Sequence, residues 1–356
     1  MKLLMITRKI DRKDALAGFS YDWIKKISRQ VESLKIICLE KGDISDLAQN
    51  IEIHSLGKEK SYHSHFIRRL AFILRFQKLA WQITPQVDGV FCHMNPEYTI
   101  LIWPWAKLFR KKIVSWYTHK AVTWKMQLME RLADVILTAS IESFRLPSKK
   151  VKVVGHGIDT EKFKPSTINH QPSTIIFTIL SVGRISPTKD YETLIKAADI
   201  LRDQLGFKDF VVNIIGAPGL AEQQSYLESL QQMVRAMNLE TKVKFLGPVP
   251  NKDIVPYYQK TSLFINLSDT GSLDKAVLEA MACGVLVLTS NEAFEKILPA
   301  DLLVEKNNPR ILAQKILDLS NWSKEKRNDI SAKLRQIVVR EHNLDNLTVK
   351  IIDQFN

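Results

Sequence analysis

The sequence is poor in cysteine and has no cysteine spacing typical of a metal or disulfide site. Its three cysteines, Cys38, Cys92 and Cys283, each lie in an apolar stretch, and no Cys-x-x-Cys is present. We expect buried free thiols, which excludes a disulfide framework and a cysteine-ligated zinc site. The sequence also lacks an Asp-x-Asp motif and any His/Asp cluster with ligand spacing, so neither metal catalysis nor a bound cofactor is predicted.

Long apolar runs are absent as well. The longest, Tyr98 to Ala106, is far shorter than the roughly eighteen residues of a membrane-crossing helix, and we interpret it as a core helix. Only five residues separate Lys2 from Arg8, which is too short for the apolar part of a secretory signal and suits a buried strand. These absences predict a cytoplasmic protein.

Acidic residues are scarce in the first half alone. Residues 1–170 contain 29 Lys+Arg against 16 Asp+Glu, whereas residues 171–356 contain 22 of each, so the whole net charge of +13 lies in the first half. Such asymmetry indicates that one domain meets an anionic surface or polyanion. Nucleic acid is not the predicted partner, because no recognised nucleic-acid-binding module accompanies the charge.

What is present is a chain of 356 residues, 45% hydrophobic and 25% charged, which suits two globular domains. The polar, proline-containing stretch Lys164–Thr174 is the best linker candidate. We therefore predict an amino-terminal domain over residues 1–166 and a carboxyl-terminal domain over residues 173–340. The final helix, about 341–356, is expected to pack back on the first domain.

Short apolar runs alternate with helical periodicity in both halves, and this predicts an α/β fold. The predicted strands lie near residues 2–6, 34–39, 51–54, 89–93, 112–116, 134–138 and 151–154, and then near 175–182, 210–215, 242–246, 262–267 and 285–289. The second half has helical patterns near 189–204, 221–238, 273–282 and 307–320. Alternation of this kind predicts two doubly wound, Rossmann-like domains, expected to face a central cleft with the carboxyl ends of their sheets.

The strongest local signal is Ile179–Ala198, ILSVGRISPTKDYETLIKAA. An apolar strand ends at Gly183, Arg184 follows at its carboxyl end, and Lys189 is predicted at the start of a helix. Two cations beside a helix amino terminus suit a diphosphate. For an isolated R-x4-K pattern, ordinary solvated charges remain the alternative.

The second signal, Asn266–Gly284, predicts a strand, a turn and a helix that carries Glu279 among apolar residues. A buried carboxylate needs a partner, and the two hydroxyls of a ribose would supply one. A salt-bridged or exposed glutamate is the alternative.

Together these segments resemble the retaining glycosyltransferases of family four, which have the GT-B fold (glycosyl transferases group 1). VGRISPTKDYETLIKA is similar to the family's Gly-Arg-x5-Lys element, and LEAMACG is similar to its most recognisable helix. Gly247 matches the turn before the segment that reads the base, and VVGHGIDTEKFKP matches the strand that ends the first domain. The four elements occur in the family's order.

The resemblance implies transfer of a sugar from a nucleoside-diphosphate sugar, with retention and without metal or cofactor. It implies that Arg184 and Lys189 hold the diphosphate, Glu279 the ribose, and that Gly18 is the remaining glycine of the loop after strand one. His119 matches a histidine placed at the donor sugar. The predicted catalytic residues are therefore His119, Arg184 and Lys189; His93 is a candidate cleft residue or a structural histidine, and His156 is interpreted as structural.

One departure from the family lies eight residues before Glu279. The family has Glu-Gly-Phe-Gly there, whereas this sequence has Gly271, Ser272, Leu273 and Asp274. Asp274 offers a nearby carboxylate and Lys275 a further cation, while the amides of Ser272 to Asp274 still open a helix able to meet an anion. The candidate donor-binding residues are Gly18, Gly183, Arg184, Lys189, Gly247, Ser272, Leu273, Asp274, Lys275 and Glu279.

A basic, apolar stretch, His63–Trp81, sets Arg68, Arg69, Arg75 and Lys78 among large apolar residues. As an amphipathic helix it suits an anionic membrane face or a lipid-linked or envelope-glycan acceptor. A surface helix with its apolar side in the core is the alternative.

The predicted function is thus a hexosyltransferase-like enzyme of glycan biosynthesis, cytoplasmic or peripheral on the cytoplasmic membrane face. A catalytically impaired protein that binds nucleotide sugar or glycan, and a nucleotide-sugar epimerase, are the alternatives.

Overall fold

The computed structural model describes residues 1–15, 17–59, 65–166 and 176–356, without the side chains of residues 65–69. The chain divides into two compact units. Unit 1 comprises Met1–Gly157, Pro250–Lys252 and Asn343–Asn356, and unit 2 comprises Ile158–Val249 and Asp253–His342.

Unit 1 contains one parallel sheet, with seven strands in the described residues. They are β1 (Lys2–Ile10), β2 (Ser33–Lys41), β3 (Ile51–Ser55), β4 (Gly89–His93), β5 (Lys112–Trp116), β6 (Val135–Thr138) and β7 (Val151–Val153). Their order is β3-β2-β1-β4-β5-β6-β7, and every pairing is parallel. The connecting helices are α1 (Phe19–Ser28), α2 (His65–Ile83), α3 (Pro96–Leu108) and α4 (Trp124–Leu132).

Unit 2 repeats this architecture with five parallel strands in the described part of the chain. They are β8 (Phe177–Val182), β9 (Phe210–Ile215), β10 (Val243–Gly247), β11 (Leu263–Asn266) and β12 (Leu286–Thr289), in the order β10-β9-β8-β11-β12. Its helices are α5 (Tyr191–Asp203), α6 (Gln224–Ala236), α7 (Val255–Gln259), α8 (Lys275–Ala282), α9 (Pro309–Ser320) and α10 (Lys324–Glu341).

The last helix, α11 (Leu344–Ile352), belongs to unit 1 and packs against α1. A Cβ atom added at Gly157 would lie 2.8 Å from side-chain atoms of both Leu344 and Trp23, so the chain passes closely between them. Lys26 Nζ of α1 lies 2.8 Å from Asp345 Oδ2 of α11. The carboxyl-terminal segment is therefore an integral layer of unit 1.

The central strands β1, β4 and β11 are buried almost throughout, which explains their apolar sequence, whereas the edge strands β3, β7 and β10 are partly exposed. In β1, Leu3, Leu4, Met5 and Ile6 are all at most 1% exposed, as expected for a parallel sheet covered by helices on both sides. Each predicted strand is present within a few residues of its predicted bounds. The predicted α/β class with two doubly wound sheets is confirmed.

The division between the units falls at Gly157 and Ile158, nine residues before the predicted end of the first domain at residue 166. The backbone N–H of Ile158 donates to the carbonyl of His342 at 2.8 Å, and Arg335 Nη1 donates to the carbonyl of Phe163 at 3.0 Å. These contacts hold the stretch to unit 2. The predicted linker lies mostly outside the described residues.

Candidate functional site

The candidate site of unit 2 lies where the order of its sheet reverses. The chain proceeds from β8 to β9 on one side and places β11 on the other, so β8 and β11 are neighbours. Loops that follow such a strand pair at the carboxyl ends open a crevice, which is the usual ligand site of doubly wound sheets. Here the loop after β8 carries Arg184 and Lys189, and the loop after β11 carries Asp274.

Lys189 and Asp274 form a shielded ion pair across these two loops. Lys189 Nζ lies 2.5 Å from Asp274 Oδ2, with side chains 12% and 19% exposed. Asn266, the last residue of β11, donates from Nδ2 to the same Oδ2 at 3.1 Å. Burial alone raises the pKa of Asp274, but the charge of Lys189 and hydrogen bonds from Lys189, Asn266 and Ser268 outweigh it, and the pKa lies below its ordinary value. The Asp274 carboxylate is therefore ionised at neutral pH.

Gly183 lets the Lys189 side chain cross the end of β8. A Cβ atom at Gly183 would lie 3.3 Å from Lys189 Cε. The neighbouring loop after β9 approaches even more closely: a Cβ atom at Gly216, where φ is +152°, would lie 1.8 Å from the carbonyl oxygen of Gly183. Only glycine permits that approach, and it brings the two loops together.

Arg184 is exposed and lies along the loop after β9. A Cβ atom at Gly219 would lie 2.6 Å from Arg184 Nε, so the absence of a side chain at Gly219 makes room for the guanidinium stem. The N–H of the next residue, Ile185, donates to the carbonyl of Ala217 at 3.0 Å and fixes the loops together. Arg184 thus presents its charge at the carboxyl edge of the sheet from a fixed backbone.

The start of α5 differs from the sequence interpretation. Lys189 does not open the helix; it ends a short 3-10 turn, Pro187–Lys189, and α5 begins at Tyr191. Asp190 intervenes with φ +47° and its side chain accepts from Thr193 N at 3.3 Å, which caps the helix. A carboxylate thus already caps this helix end, and the helix begins two residues later than predicted, while the predicted diphosphate role of Lys189 stays a prediction.

Glu279 lies on α8, is 8% exposed, and has a specific partner. Tyr258 OH donates to Glu279 Oε2 at 2.9 Å, and Tyr258 is fully buried at the end of α7. Burial, followed by the negative charge of Glu279, raises the pKa of Tyr258 well above its ordinary value, so the phenol remains a donor. The Tyr258 hydrogen bond therefore orients the carboxylate, while the predicted ribose role of Glu279 stays a prediction.

The loop that departs from the family sequence has its own conformation. Gly271 has φ +59°, in the left-handed region that disfavours residues with a side chain. Asn291 Nδ2 donates to the carbonyl of Ser272 at 2.9 Å, and Leu273 is buried. Helix α8 begins at Lys275, two residues later than predicted. Position 271 therefore holds a glycine in a left-handed backbone conformation and offers no carboxylate.

Gly247 ends β10 at the edge of the sheet, with φ +75° and no atom within 4 Å of an added Cβ atom. Its carbonyl accepts from Gly216 N at 3.0 Å, which ties the predicted base-reading turn to the loop that carries Gly216 and Gly219.

In unit 1, His119 is exposed on the loop after β5. Its Nδ1 accepts from the N–H of Ala121 at 3.1 Å, so the neutral ring carries its proton on Nε2. Gly18 precedes α1, and a Cβ atom there would lie 2.5 Å from the carbonyl oxygen of Asp14. The close turn requires Gly18 on steric grounds alone, which leaves its predicted donor role as a prediction.

The other two histidines are buried. His93 ends β4, is 1% exposed, and its Nδ1 lies 3.1 Å from Thr7 Oγ1 of β1 while its ring packs on Trp23 with centroids 4.8 Å apart. His156 is 4% exposed and packs on Trp116. This environment agrees with a structural histidine at both positions, and it gives the His93 ring no solvent-facing surface from which to line a cleft.

Helix α2 carries the predicted membrane or acceptor cations. The side chains of Arg68 and Arg69 lie outside the described residues. Arg75 and Lys78 are exposed, and Arg75 Nη1 donates to the carbonyl of Leu56 at 2.8 Å. Phe76 of the same helix is buried in the core, as the surface-helix alternative expects. The helix nevertheless also exposes large apolar side chains by 42–62%, namely Leu70, Ile73, Leu74 and Trp81.

The described residues contain neither a membrane-spanning helix nor a cluster of side chains suited to a metal ion. No helix there is long and apolar enough to cross a membrane. Across the same residues, no three His, Cys, Asp or Glu side chains lie together as a metal site would require.

The sequence interpretation missed several residues of this site. It did not identify Gly216, Gly219, Asn266 or Tyr258. The first two lie in a Gly-Ala-Pro-Gly run directly after an apolar strand, which is a detectable signal for a close loop. Asn266 was visible as a polar residue ending a buried strand. Tyr258 gave no signal, because only the folded chain brings it to Glu279.

Comparisons with known proteins show the family of the second half of the chain and the fold of the whole. The model of the family described as glycosyl transferases group 1 matches residues 160–336. The chain is 24% identical over 217 residues to mannosylfructose-phosphate synthase of Agrobacterium fabrum, covering 54% of this chain and 46% of that protein. It is 29% identical over 150 residues to D-inositol 3-phosphate glycosyltransferase of Kribbella flavida, covering 40% and 35%. The matched regions thus cover between a third and a half of the length of each of these curated relatives.

The crystal structure of Anabaena HepE in complex with UDP-glucose is similar in fold, with a TM-score of 0.78 at 17% identity and 99% of each chain covered. A glycosyltransferase from Rickettsia africae gives a TM-score of 0.75 at 18% identity, with 99% of this chain and 98% of that chain covered. The two parallel α/β units have the GT-B fold. Residues 160–336 of this chain belong to the glycosyl transferases group 1 family.

Proposed function

We propose that the protein is a glycosyltransferase that transfers a sugar from a nucleoside-diphosphate sugar to an acceptor hydroxyl, with retention and without a metal ion or cofactor. The observation that carries the proposal is the cationic pair at the switch point of unit 2. Both cations follow β8 at the carboxyl edge of the sheet, inside a segment of the glycosyl transferases group 1 family. Arg184 lies beside the loop after β9, and Lys189 is paired with Asp274 of the loop after β11.

The chemistry follows from where charge develops. When the bond between the anomeric carbon and the diphosphate oxygen breaks, negative charge grows on the leaving phosphate. Cations held on rigid loops stabilise that charge without reorganising, which is usually the largest catalytic contribution. The acceptor oxygen forms the new bond on the same face and passes its proton to the departing phosphate oxygen. His119, of unit 1, is proposed to contact the transferred sugar.

The identity of the donor nucleotide is the first point to test. Because HepE of Anabaena was crystallised with UDP-glucose, we propose a UDP sugar as the first donor to examine. In a thermal-shift panel of UDP, GDP and ADP sugars, a ligand at one hundred times its dissociation constant should stabilise the protein by roughly 2.7 kcal/mol. Slow hydrolysis of that donor should accompany binding.

The panel also separates the rival functions. Binding without hydrolysis or transfer would favour a catalytically impaired nucleotide-sugar protein, an idea motivated by Gly271 in place of the family's glutamate. Conversion to an epimeric sugar would indicate an epimerase. Absence of binding to every nucleotide sugar would contradict the proposal.

Glu279→Gln should weaken binding of the free nucleoside diphosphate by roughly 1–3 kcal/mol, because an amide accepts fewer hydroxyl protons from the ribose than a carboxylate does. Calorimetric titration with UDP measures the change. Tyr258→Phe is the matched variant: it removes only the 2.9 Å hydrogen bond that orients Glu279, and it should lower affinity less than Glu279→Gln. Unchanged UDP affinity in Glu279→Gln would remove the ribose role.

For the acceptor, we propose a lipid-linked or cell-envelope glycan reached from the anionic cytoplasmic face of a membrane. Helix α2 supports this proposal because it exposes apolar side chains and carries cations; the exposed apolar residues are Leu70, Ile73, Leu74 and Trp81. The net charge of +13 supports it as well. Each cation close to an anionic surface contributes about 1 kcal/mol, so a few give reversible binding without an anchor. The cytoplasmic location remains part of this proposal.

Reversing charge on α2 tests the membrane contact. The Arg68→Glu, Arg69→Glu and Lys78→Glu triple variant should co-sediment with phosphatidylglycerol vesicles at least about tenfold more weakly than the wild type. Salt should weaken the wild type too, because it shortens the Debye length. Lys78 is chosen over Arg75, whose hydrogen bond to Leu56 is structural. Equal binding to phosphatidylcholine vesicles would contradict an electrostatic contact.

A further inference from the structure

A cavity of about 750 Å³ lies at the amino-terminal edge of the sheet of unit 1, away from the residues discussed so far. Its cationic residues come from the end of α3, the start of β5, the end of α4 and the start of β7. His93 ends β4 and His119 follows β5, so both lie at the opposite, carboxyl edge of the same sheet. The cations that line the cavity are Lys107, Arg110, Lys111, Lys112, Arg131 and Lys150.

Carboxylates do not balance this charge. Asp134 is the single acidic side chain in the lining, and its Oδ2 already accepts the N–H of Ile113 at 2.7 Å. Glu130, at the end of α4, accepts Ser148 Oγ at 2.6 Å instead of a cation. The two nearby carboxylates thus accept from a backbone N–H and from a hydroxyl, while the cations share one cavity.

Helix capping accounts for one of the six cations. Lys150 Nζ donates to the carbonyls of Glu130 and Arg131 at 2.8 and 2.9 Å, which satisfies the end of α4. Within the described residues, the other five cationic side chains make no hydrogen bond or ion pair. Arg110 adopts φ +54°, a left-handed conformation that glycine usually occupies after a helix. An arginine at this position therefore costs conformational energy that glycine would not.

We propose that this cavity binds anionic phosphate groups, supplied either by a soluble polyphosphate or by lipid headgroups. Its volume falls within the range of small-ligand sites, about 300–1,000 Å³. An anion would neutralise cations that otherwise repel one another across a shared cavity. Trp103, an exposed aromatic in the lining, offers an apolar contact beside the charge. The site is independent of the proposed donor site, which lies in unit 2.

Lysine footprinting resolves the site residue by residue. The intact protein is acetylated with acetic anhydride with and without inorganic tripolyphosphate, or with phosphatidylglycerol or phosphatidylcholine vesicles, and each lysine is quantified by mass spectrometry. Lys107 and Lys112 should be protected at least threefold. Lys149, exposed and adjacent to Lys150 but outside the lining, is the internal control, and Lys189 reports separately on the donor site.

A triple variant supplies the affinity measurement. The variant combines Lys107→Gln, Lys112→Gln and Arg131→Gln. It should bind the protecting anion about 100-fold more weakly, because each lost cation weakens binding about fivefold. A matched triple of exposed cations outside the lining, Arg29→Gln, Lys149→Gln and Lys244→Gln, should retain wild-type affinity.

Protection by tripolyphosphate assigns a soluble ligand, and protection by phosphatidylglycerol vesicles alone assigns a headgroup. Either result supports the site. No protection by any probe, equal protection of Lys149, or equal weakening by the two triple variants would overturn it.

Discussion

Replacing Arg184 with alanine is expected to lower turnover about 10²-fold, because it removes a fixed cation from the phosphate on which charge develops. Arg184 is exposed, so its loss should change the free energy of unfolding by no more than about 0.5 kcal/mol. Steady-state transfer or donor hydrolysis, with urea unfolding alongside, measures both. Arg235→Ala, which removes an exposed arginine on α6, is the control and should keep wild-type turnover.

Lys189 requires a different design, because it is paired. Lys189→Ala should also cost about 10²-fold in turnover, but it leaves the shielded Asp274 carboxylate without its cation. The Lys189→Ala and Asp274→Asn double variant removes both charges together. If turnover stays low in that double variant while stability recovers, the loss is catalytic and not a consequence of unfolding.

His119→Ala distinguishes binding from chemistry. The residue is exposed and lies in unit 1, whereas Arg184 and Lys189 lie in unit 2. It should lose transfer while its UDP affinity remains near that of the wild type. Wild-type turnover in Arg184→Ala, or loss of UDP binding in His119→Ala, would contradict the assignment of roles.

The fold was predictable because its signals are local. Strands of a parallel sheet covered on both faces are mostly apolar, and the strands Gly89–His93 and Phe210–Ile215 have the predicted bounds. The start of α5 was not predictable in the same way. A left-handed Asp190 separates Lys189 from the helix; aspartate tolerates this αL conformation better than most residues, but its type alone does not predict that the chain adopts it here.

Side-chain partners depend on contacts that periodicity does not encode. Arg184, Lys189 and Glu279 were identifiable from their motifs, but the pairing of Lys189 with Asp274 spans 85 positions and two loops. Tyr258 meets Glu279 only because α7 and α8 pack in unit 2. The sequence therefore indicated which groups are present, while the folded chain shows which of them already hold a partner before any ligand arrives.

That distinction makes Asp274 the most informative residue to change. In the unliganded protein its carboxylate is the counter-ion of Lys189, 2.5 Å away. A nucleoside diphosphate at the same cation brings like charge beside this carboxylate. Asp274 should therefore stabilise the empty protein and oppose the diphosphate, and the two effects can be measured separately.

Asp274→Asn is expected to lower the free energy of unfolding of the unliganded protein by about 2–4 kcal/mol at pH 7, because Lys189 loses the charge that offsets its desolvation. In the wild type the lowered pKa of Asp274 stabilises the fold above the carboxyl pKa of the unfolded chain, and this stabilisation is lost as the pH falls through the folded value. The difference in free energy of unfolding between the two proteins should therefore shrink in urea unfolding at acidic pH.

UDP should bind the variant at least about tenfold more tightly, since one negative charge near the diphosphate is gone. Equal stability at pH 7 would show that the pair contributes nothing, and equal UDP affinity would show that the diphosphate does not bind beside Lys189.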